Sequence, residues 1–181
     1  MEKRTPLALP LLVLVSGTPG SGKTTLAKLL AQKMGLYHVE RDTLKFGIEF
    51  TARTDPKDRK KTVVPIYWEV IYQLLTLRIS CIADGSHYKG ETEKDLERLG
   101  KVATVLNLHC QAAGHHERLL KREAARGNVP AWEKGYTPDF ERMYKLTNKP
   151  LEHGYQTLII DTTDGYQPSI ERVATWIEEQ I

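Results

Sequence analysis

The sequence predicts an α/β fold, a parallel sheet sandwiched between layers of helices. Two observations carry that expectation. Short apolar runs such as Leu11–Ser16 and Ser80–Asp84 alternate along the chain with segments whose apolar residues recur at helical spacing. The strand-like runs are also apolar at consecutive positions. That pattern suits strands buried on both faces, as in parallel sheets covered by helices.

Taken in order, Leu11–Ser16 reads as the first strand. After a Gly-rich turn, Leu26, Leu29, Leu30 and Met34 mark a helix that Gly35 can stop. A second strand covers 36–40, and Asp42 suits the N-cap of a short helix through Phe50. Residues 51–62 are polar and charged and read as a loop. Pro65 suits a first helical turn, with Ile66, Val70, Leu74 and Leu77 forming one face of a helix that ends near Arg78. Ser80–Asp84 is the third strand. Thr92 and Asp95 form a capping-box pattern ahead of Leu96 and Leu99, and a fourth strand is expected over 102–108. A helix over 115–126, a Gly/Pro/aromatic segment and a helix over 139–149 follow. A strand over 157–161 and a closing helix using Ile170, Val173, Ile177 and Ile181 complete the pattern.

With 181 residues, 40% hydrophobic and 27% charged, the chain is expected to form one domain, with residues 1–9 as a flexible tail. Collagen-like, low-complexity and wholly disordered classes are excluded. The net charge of +3 is too small for a nucleic-acid coat protein. Cys81 and Cys110, both in apolar runs, read as buried thiols. With no apolar stretch long enough for a membrane span, the expected location is the cytoplasm.

The segment Gly17-Thr-Pro-Gly-Ser-Gly-Lys23-Thr24 fits the phosphate-loop pattern G-x-x-x-x-G-K-[ST], placed as that motif requires between a buried strand and an amphipathic helix. Glycines let consecutive backbone N–H groups turn toward one phosphate at the positive end of the helix. Gly17, Thr18, Pro19, Gly20, Ser21, Gly22, Lys23, Thr24 and Thr25 are therefore the candidates for holding a nucleotide's phosphates. Lys23 would reach the β- and γ-phosphates, and the Thr24 hydroxyl would ligate Mg²⁺. A GTPase needs Asn-Lys-x-Asp to read guanine. Asn148-Lys149-Pro150 begins that way, but position 151 is Leu. A motor ATPase would need accessory domains for which the chain has no room.

The segments Gly17–Thr24, Glu40-Arg-Asp-Thr-Leu-Lys45 and Ile82-Ala-Asp-Gly85, with the row Arg118, Arg122 and Arg126, resemble the small phosphate-loop kinases. Within them the likeness is greatest to the group around polynucleotide 5′-hydroxyl kinase, zeta toxin and chloramphenicol phosphotransferase. The resemblance implies a three-layer P-loop NTPase fold with a five-stranded parallel sheet in the order 2-3-1-4-5. It further implies ATP and Mg²⁺ as cosubstrate and cofactor, and phosphate transfer to a hydroxyl of a small molecule or nucleic-acid end.

In that group an Asp just after the second strand takes the acceptor's proton, and Asp42 matches it. The chemistry asks for an oriented nucleophile and a proton acceptor there. Related kinases often carry Arg three residues on, where this chain has Lys45, which cannot make a bidentate fork. Arg41, next to Asp42, could take its place or equally point to solvent. Asp84 matches a Walker B carboxylate and would sit beside Thr24 and the metal. Ser86, His87 and Tyr88 follow it on the cleft side. Arg122 and Arg126 match the residues that neutralise the transferring phosphoryl group, at the start of a lid over about 127–138. Thr162 and Thr163, after the last strand, are candidates for contacts to the nucleotide. Apart from Mg²⁺ no metal is expected. Residues 53–61 hold five basic and two acidic side chains, an excess equal to the whole chain's net charge. They could contact an anionic acceptor or be a solvated loop. The rival to a kinase is a regulatory nucleotide-binding switch without an acceptor.

Overall fold

A computed structural model of the chain describes residues 8–52, 59–125 and 138–181. Arg126, residues 127–137 of the lid expected over about 127–138, residues 1–7 and residues 53–58 of the basic segment lie outside the described residues.

Twelve elements follow one another in the described residues: β1 (Leu11–Gly17), α1 (Lys23–Met34), β2 (Tyr37–Glu40), α2 (Arg41–Ala52), α3 (Arg59–Thr76), β3 (Cys81–Asp84), α4 (Glu93–Leu99), β4 (Thr104–Gln111), α5 (His115–Ala125), α6 (Pro138–Thr147), β5 (Gln156–Asp161) and α7 (Ile170–Glu178). The five strands form one parallel sheet in the order β2-β3-β1-β4-β5, with helices on both faces. That is the expected architecture and strand order.

β1 is central, and all seven of its residues are buried. Its alternate side chains enter two cores. Leu11, Val13 and Val15 pack with Leu26 and Leu30 of α1 and Val173 and Ile177 of α7. Leu12 and Leu14 face the other way, onto Tyr67, Trp68, Ile71 and Leu75 of α3 and Leu96 and Leu99 of α4. Each such fully buried aliphatic side chain contributes about 1.5–3 kcal/mol. Both cysteines are buried free thiols, and burial pushes each up to about 12.

Four local expectations are corrected. α3 begins at Arg59, so Pro65 stands in its second turn with its ring facing solvent, and the expected loop over 51–62 is shortened from both ends by α2 and α3. The buried face of α3 is Val63, Tyr67, Ile71 and Leu75, one residue out of phase with the expected one. Ile66 is 39% and Leu77 70% exposed, because the large rings of Tyr67 and Trp68 take the interior. Thr92 makes no capping-box bond: its backbone is already helical and its side chain is buried. β4 starts at Thr104 because the N–H groups of Val102 and Ala103 donate to the Leu99 carbonyl in the turn that ends α4. It runs on to Gln111 because β5 pairs with it to that point. Among the described residues no helix is long and apolar enough to cross a membrane.

Candidate active site

The sheet's register brings the chemistry to one edge. Val15 of β1 lies beside Asp84 of β3, Glu40 of β2 lies on the other side of Asp84, and Gly17 pairs with Cys110 of β4. The chain leaves β1 at that edge and turns into α1. Gly17, Gly20 and Gly22 all have positive φ (133°, 83° and 77°), and only glycine fits at two of them. A Cβ on Gly17 would meet the Cys110 carbonyl oxygen at 2.3 Å, and one on Gly20 would meet that of His115 at 2.0 Å. The loop closes with Ser21 N–H donating to the Thr18 carbonyl, and the first N–H groups of α1 have no partner within the helix.

Lys23 is buried, and its ammonium donates to the Thr18 carbonyl at 2.7 Å. Burial pushes it down to about 8. Arg41 acts in the same direction, and Cys110, Asp84 and Asp42 act against it. The Thr24 hydroxyl donates to Asp84 Oδ2 at 2.6 Å, so the expected proximity of these two residues is present. Asp84 is 2% exposed, and its other oxygen accepts from Nε2 of His38 at 2.6 Å. Sequence reasoning missed His38. The available signal was its strand position, two residues before Glu40 on the same face of β2.

A small cavity of about 60 Å³ gathers Pro19, Lys23, Thr24, Asp42, Asp84 and Arg122. Asp42 is exposed and stands in the first turn of α2, one residue inside the helix and not at the expected N-cap. It also borders a second cavity of about 260 Å³, between α2, α3 and the chain after β3. Arg41 and Lys45 line that second cavity, and Arg41 donates to the Ser86 carbonyl at 2.6 Å. Ser86, His87 and Tyr88 line it as well.

Arg122 pairs with Glu123 at 3.0 Å at the rim of the small cavity. Arg118, one turn earlier on α5, does something else: its guanidinium donates to the carbonyls of Thr162 (2.8 Å) and Thr163, fixing the loop after β5. Thr162 itself is buried, and its hydroxyl donates to the Ser21 carbonyl at 2.7 Å. Its side chain supports the glycine-rich loop. Thr163 lines a third cavity of about 400 Å³ with Thr18, Gln111, His115 and Tyr144. Thr25 is exposed on α1.

No group of three or more His, Cys, Asp or Glu side chains that could hold a metal occurs among the described residues. One buried carboxylate beside one hydroxyl does fit Mg²⁺, which takes few protein oxygens and completes its shell with water and substrate phosphates.

The family model for the AAA_33 family, an AAA domain, matches residues 12–135. The chain belongs to the AAA_33 family. The AAA_33 chain is 27% identical over 133 residues to a UPF0200 protein of Aeropyrum pernix, covering 68% of this chain and 70% of that one. A candidate kinase from Chloroflexus aurantiacus superposes with a TM-score of 0.76 at 23% identity, covering 94% and 95% of the two chains. The APS kinase of Mycobacterium tuberculosis, solved with AMPPNP and APS, superposes with a TM-score of 0.62 at 17% identity over 95% and 97%. At these identities the likeness establishes that the AAA_33 chain shares their fold.

Proposed function

We propose that this AAA_33 protein is an ATP-dependent kinase that transfers the γ-phosphate to a hydroxyl group. The observation that carries the reading is the position of Asp42, which borders both the small cavity of Lys23, Thr24 and Asp84 and the larger cavity beside it. The Asp stands where a donor phosphate and an acceptor hydroxyl would meet. The likeness to the Mycobacterium tuberculosis enzyme solved with AMPPNP supports ATP as donor.

In this reading Gly17–Thr25 wraps the phosphates, with Lys23 on the β- and γ-oxygens. Thr24 and Asp84 hold Mg²⁺, which when bound neutralises phosphate charge in the transfer. The acceptor O–H is oriented by Asp42, whose carboxylate takes its proton as the oxygen bonds to the γ-phosphorus. The bond from that phosphorus to the β–γ bridging oxygen breaks, and ADP leaves with the electron pair. Arg122, together with Arg126, offsets the charge spread over the transferring group.

The test is Asp42→Asn in a radiolabel transfer screen with ATP over sugars, nucleosides, antibiotics and 5′-hydroxyl oligonucleotides. AMPPNP affinity is expected to stay within about twofold while transfer falls by about 10²–10⁴-fold. Full transfer by Asp42→Asn removes the base assignment. If no acceptor accelerates ADP formation by the wild type, the rival reading, a nucleotide-dependent switch, gains.

A further inference from the structure

Asp84 is buried, and side chains of two other elements engage both of its oxygens. Oδ2 accepts from the Thr24 hydroxyl and Oδ1 from Nε2 of His38, each at 2.6 Å. The first contact belongs to the pair that fits Mg²⁺. The second comes from β2, from a residue that lines none of the three cavities described above.

The sheet explains how the imidazole arrives there. β2 and β3 run parallel, with His38 beside Ile82 and Glu40 beside Asp84. His38 and Asp84 therefore lie on one face of the sheet, a two-residue step apart along the strands, and the His38 ring spans that step. Glu40, the other carboxylate on this face, is taken up by Lys28 of α1 at 3.1 Å and by the Thr43 hydroxyl at 3.0 Å. That leaves the imidazole to Asp84.

The second hydrogen bond does something the first cannot. The last side-chain torsion of an aspartate is broad, so a donor on one oxygen holds that oxygen but leaves the plane of the group free to turn. Donors on both oxygens fix the plane. Thr24 has a single hydroxyl proton. While Asp84 accepts it, the lone pairs of that hydroxyl keep one direction and stay available to a metal. Mg²⁺ demands near-ideal octahedral geometry and tolerates little misalignment of its few protein ligands.

Resting on the assignment of Thr24 and Asp84 to Mg²⁺ in the kinase reading above, we propose that His38 is a positioning residue for the metal site. Its Nε2–H fixes the Asp84 carboxylate against Thr24 and thereby sets how tightly Mg²⁺ joins the bound nucleotide. The alternative is that His38 only satisfies a buried carboxylate. Its loss would then lower stability and leave the response to metal unchanged.

The experiment measures the AMPPNP affinity of the full chain in EDTA and in saturating Mg²⁺, and takes the ratio as the metal's contribution. In His38→Leu the affinity in EDTA should stay within about twofold of the wild type, while the ratio falls about tenfold or more. His38→Gln, whose amide N–H can reach the place of Nε2, should recover most of the ratio. His38→Asn is polar but too short to bring a donor there. It should behave as His38→Leu, and it stands in for that variant if leucine disturbs the fold. A ratio unchanged in His38→Leu and His38→Asn overturns the proposal, whether or not stability falls. So does a loss in His38→Gln as large as in His38→Leu, which would make the shape of the ring the cause. Transfer is read separately, as acceptor-dependent ADP release. A ratio that responds as expected in a protein that phosphorylates no acceptor upholds the proposal and counts against the kinase reading. Transfer by a protein whose ratio His38 does not govern upholds the kinase and overturns the proposal.

Discussion

Replacing Lys23 by Met is expected to stabilise the protein in the absence of nucleotide while removing its response to nucleotide. Lys23 is 8% exposed, and burial displaces its ammonium from the ordinary 10.5 to about 8. The unfolded chain keeps that proton up to pH 10.5, whereas the folded chain releases it from about pH 8. Below pH 8 the folded state therefore carries the full cost, about 3 kcal/mol. Stability rises with pH from 8 to 10.5 as the cost fades. Met removes the cost but leaves the Thr18 carbonyl, 2.7 Å from Nζ, without this donor, a loss of about 1 kcal/mol. The net gain at pH 7 is about 2 kcal/mol, or about 4–8 °C in Tm for a chain of this size.

Paired urea titrations of the two proteins at pH 7, 8, 9 and 10.5 measure the difference, in which titrations common to both cancel. The gain should be greatest at pH 7 and gone by 10.5, where only the loss of about 1 kcal/mol from the Thr18 hydrogen bond remains. AMPPNP with Mg²⁺ should raise the Tm of the wild type and leave that of Lys23→Met unmoved. A gain of the same size at every pH, or a loss at pH 7, would refute the idea that the loop holds its lysine at a desolvation cost that phosphate relieves.

Two further predictions concern the same loop and its neighbour. Gly22→Ala meets only left-handed backbone strain, since its Cβ would lie 3.7 Å from Thr162, and should cost about 1–2 kcal/mol. Gly20→Ala, driven to 2.0 Å from the His115 carbonyl oxygen, should cost clearly more in the same urea assay; equal costs would mean the loop yields freely. Asp84→Asn should abolish the part of the AMPPNP-induced Tm rise that requires Mg²⁺. Retention of that part would place the metal elsewhere.

The glycine-rich loop was legible because its information is local. Strand, turn, lysine and helix are contiguous, and three positive-φ glycines with a buried strand leave little freedom in how Lys23 and Thr24 are presented. The sheet order was legible only through resemblance, since nothing in the apolar runs themselves says that β3 lies between β2 and β1. α3 shows why periodicity alone misleads. Ile66, Val70 and Leu74 form as good a helical stripe as Val63, Tyr67, Ile71 and Leu75, and the choice falls to the stripe flanked by Trp68, which buries the most ring surface. Arg118 and Arg122 occupy one row of α5, yet one holds the carbonyls after β5 and the other the rim of the small cavity. Their spacing was visible; the segments each would meet were not.

The acceptor side was the least legible for the same reason. Its wall joins residues from α2, α3 and the chain after β3, segments that become neighbours only once β2 pairs with β3 and α3 crosses beneath them. Read along the chain, the conspicuous feature near Asp42 is the run of cations over 53–61, which draws attention to an anionic acceptor. Read in space, the cavity next to Asp42 is lined by Val63, Val64 and Tyr88 together with Arg41, Lys45, Glu91 and Asp95, apolar and charged groups side by side. Linear charge reports what is near in sequence, whereas an acceptor is selected by the groups it touches, and around this cavity those come from separate segments of the chain. The α3 part of that wall, Val63 and Val64 beside Tyr67 and Trp68, follows from the buried face of the helix, which sequence periodicity placed one residue out of phase.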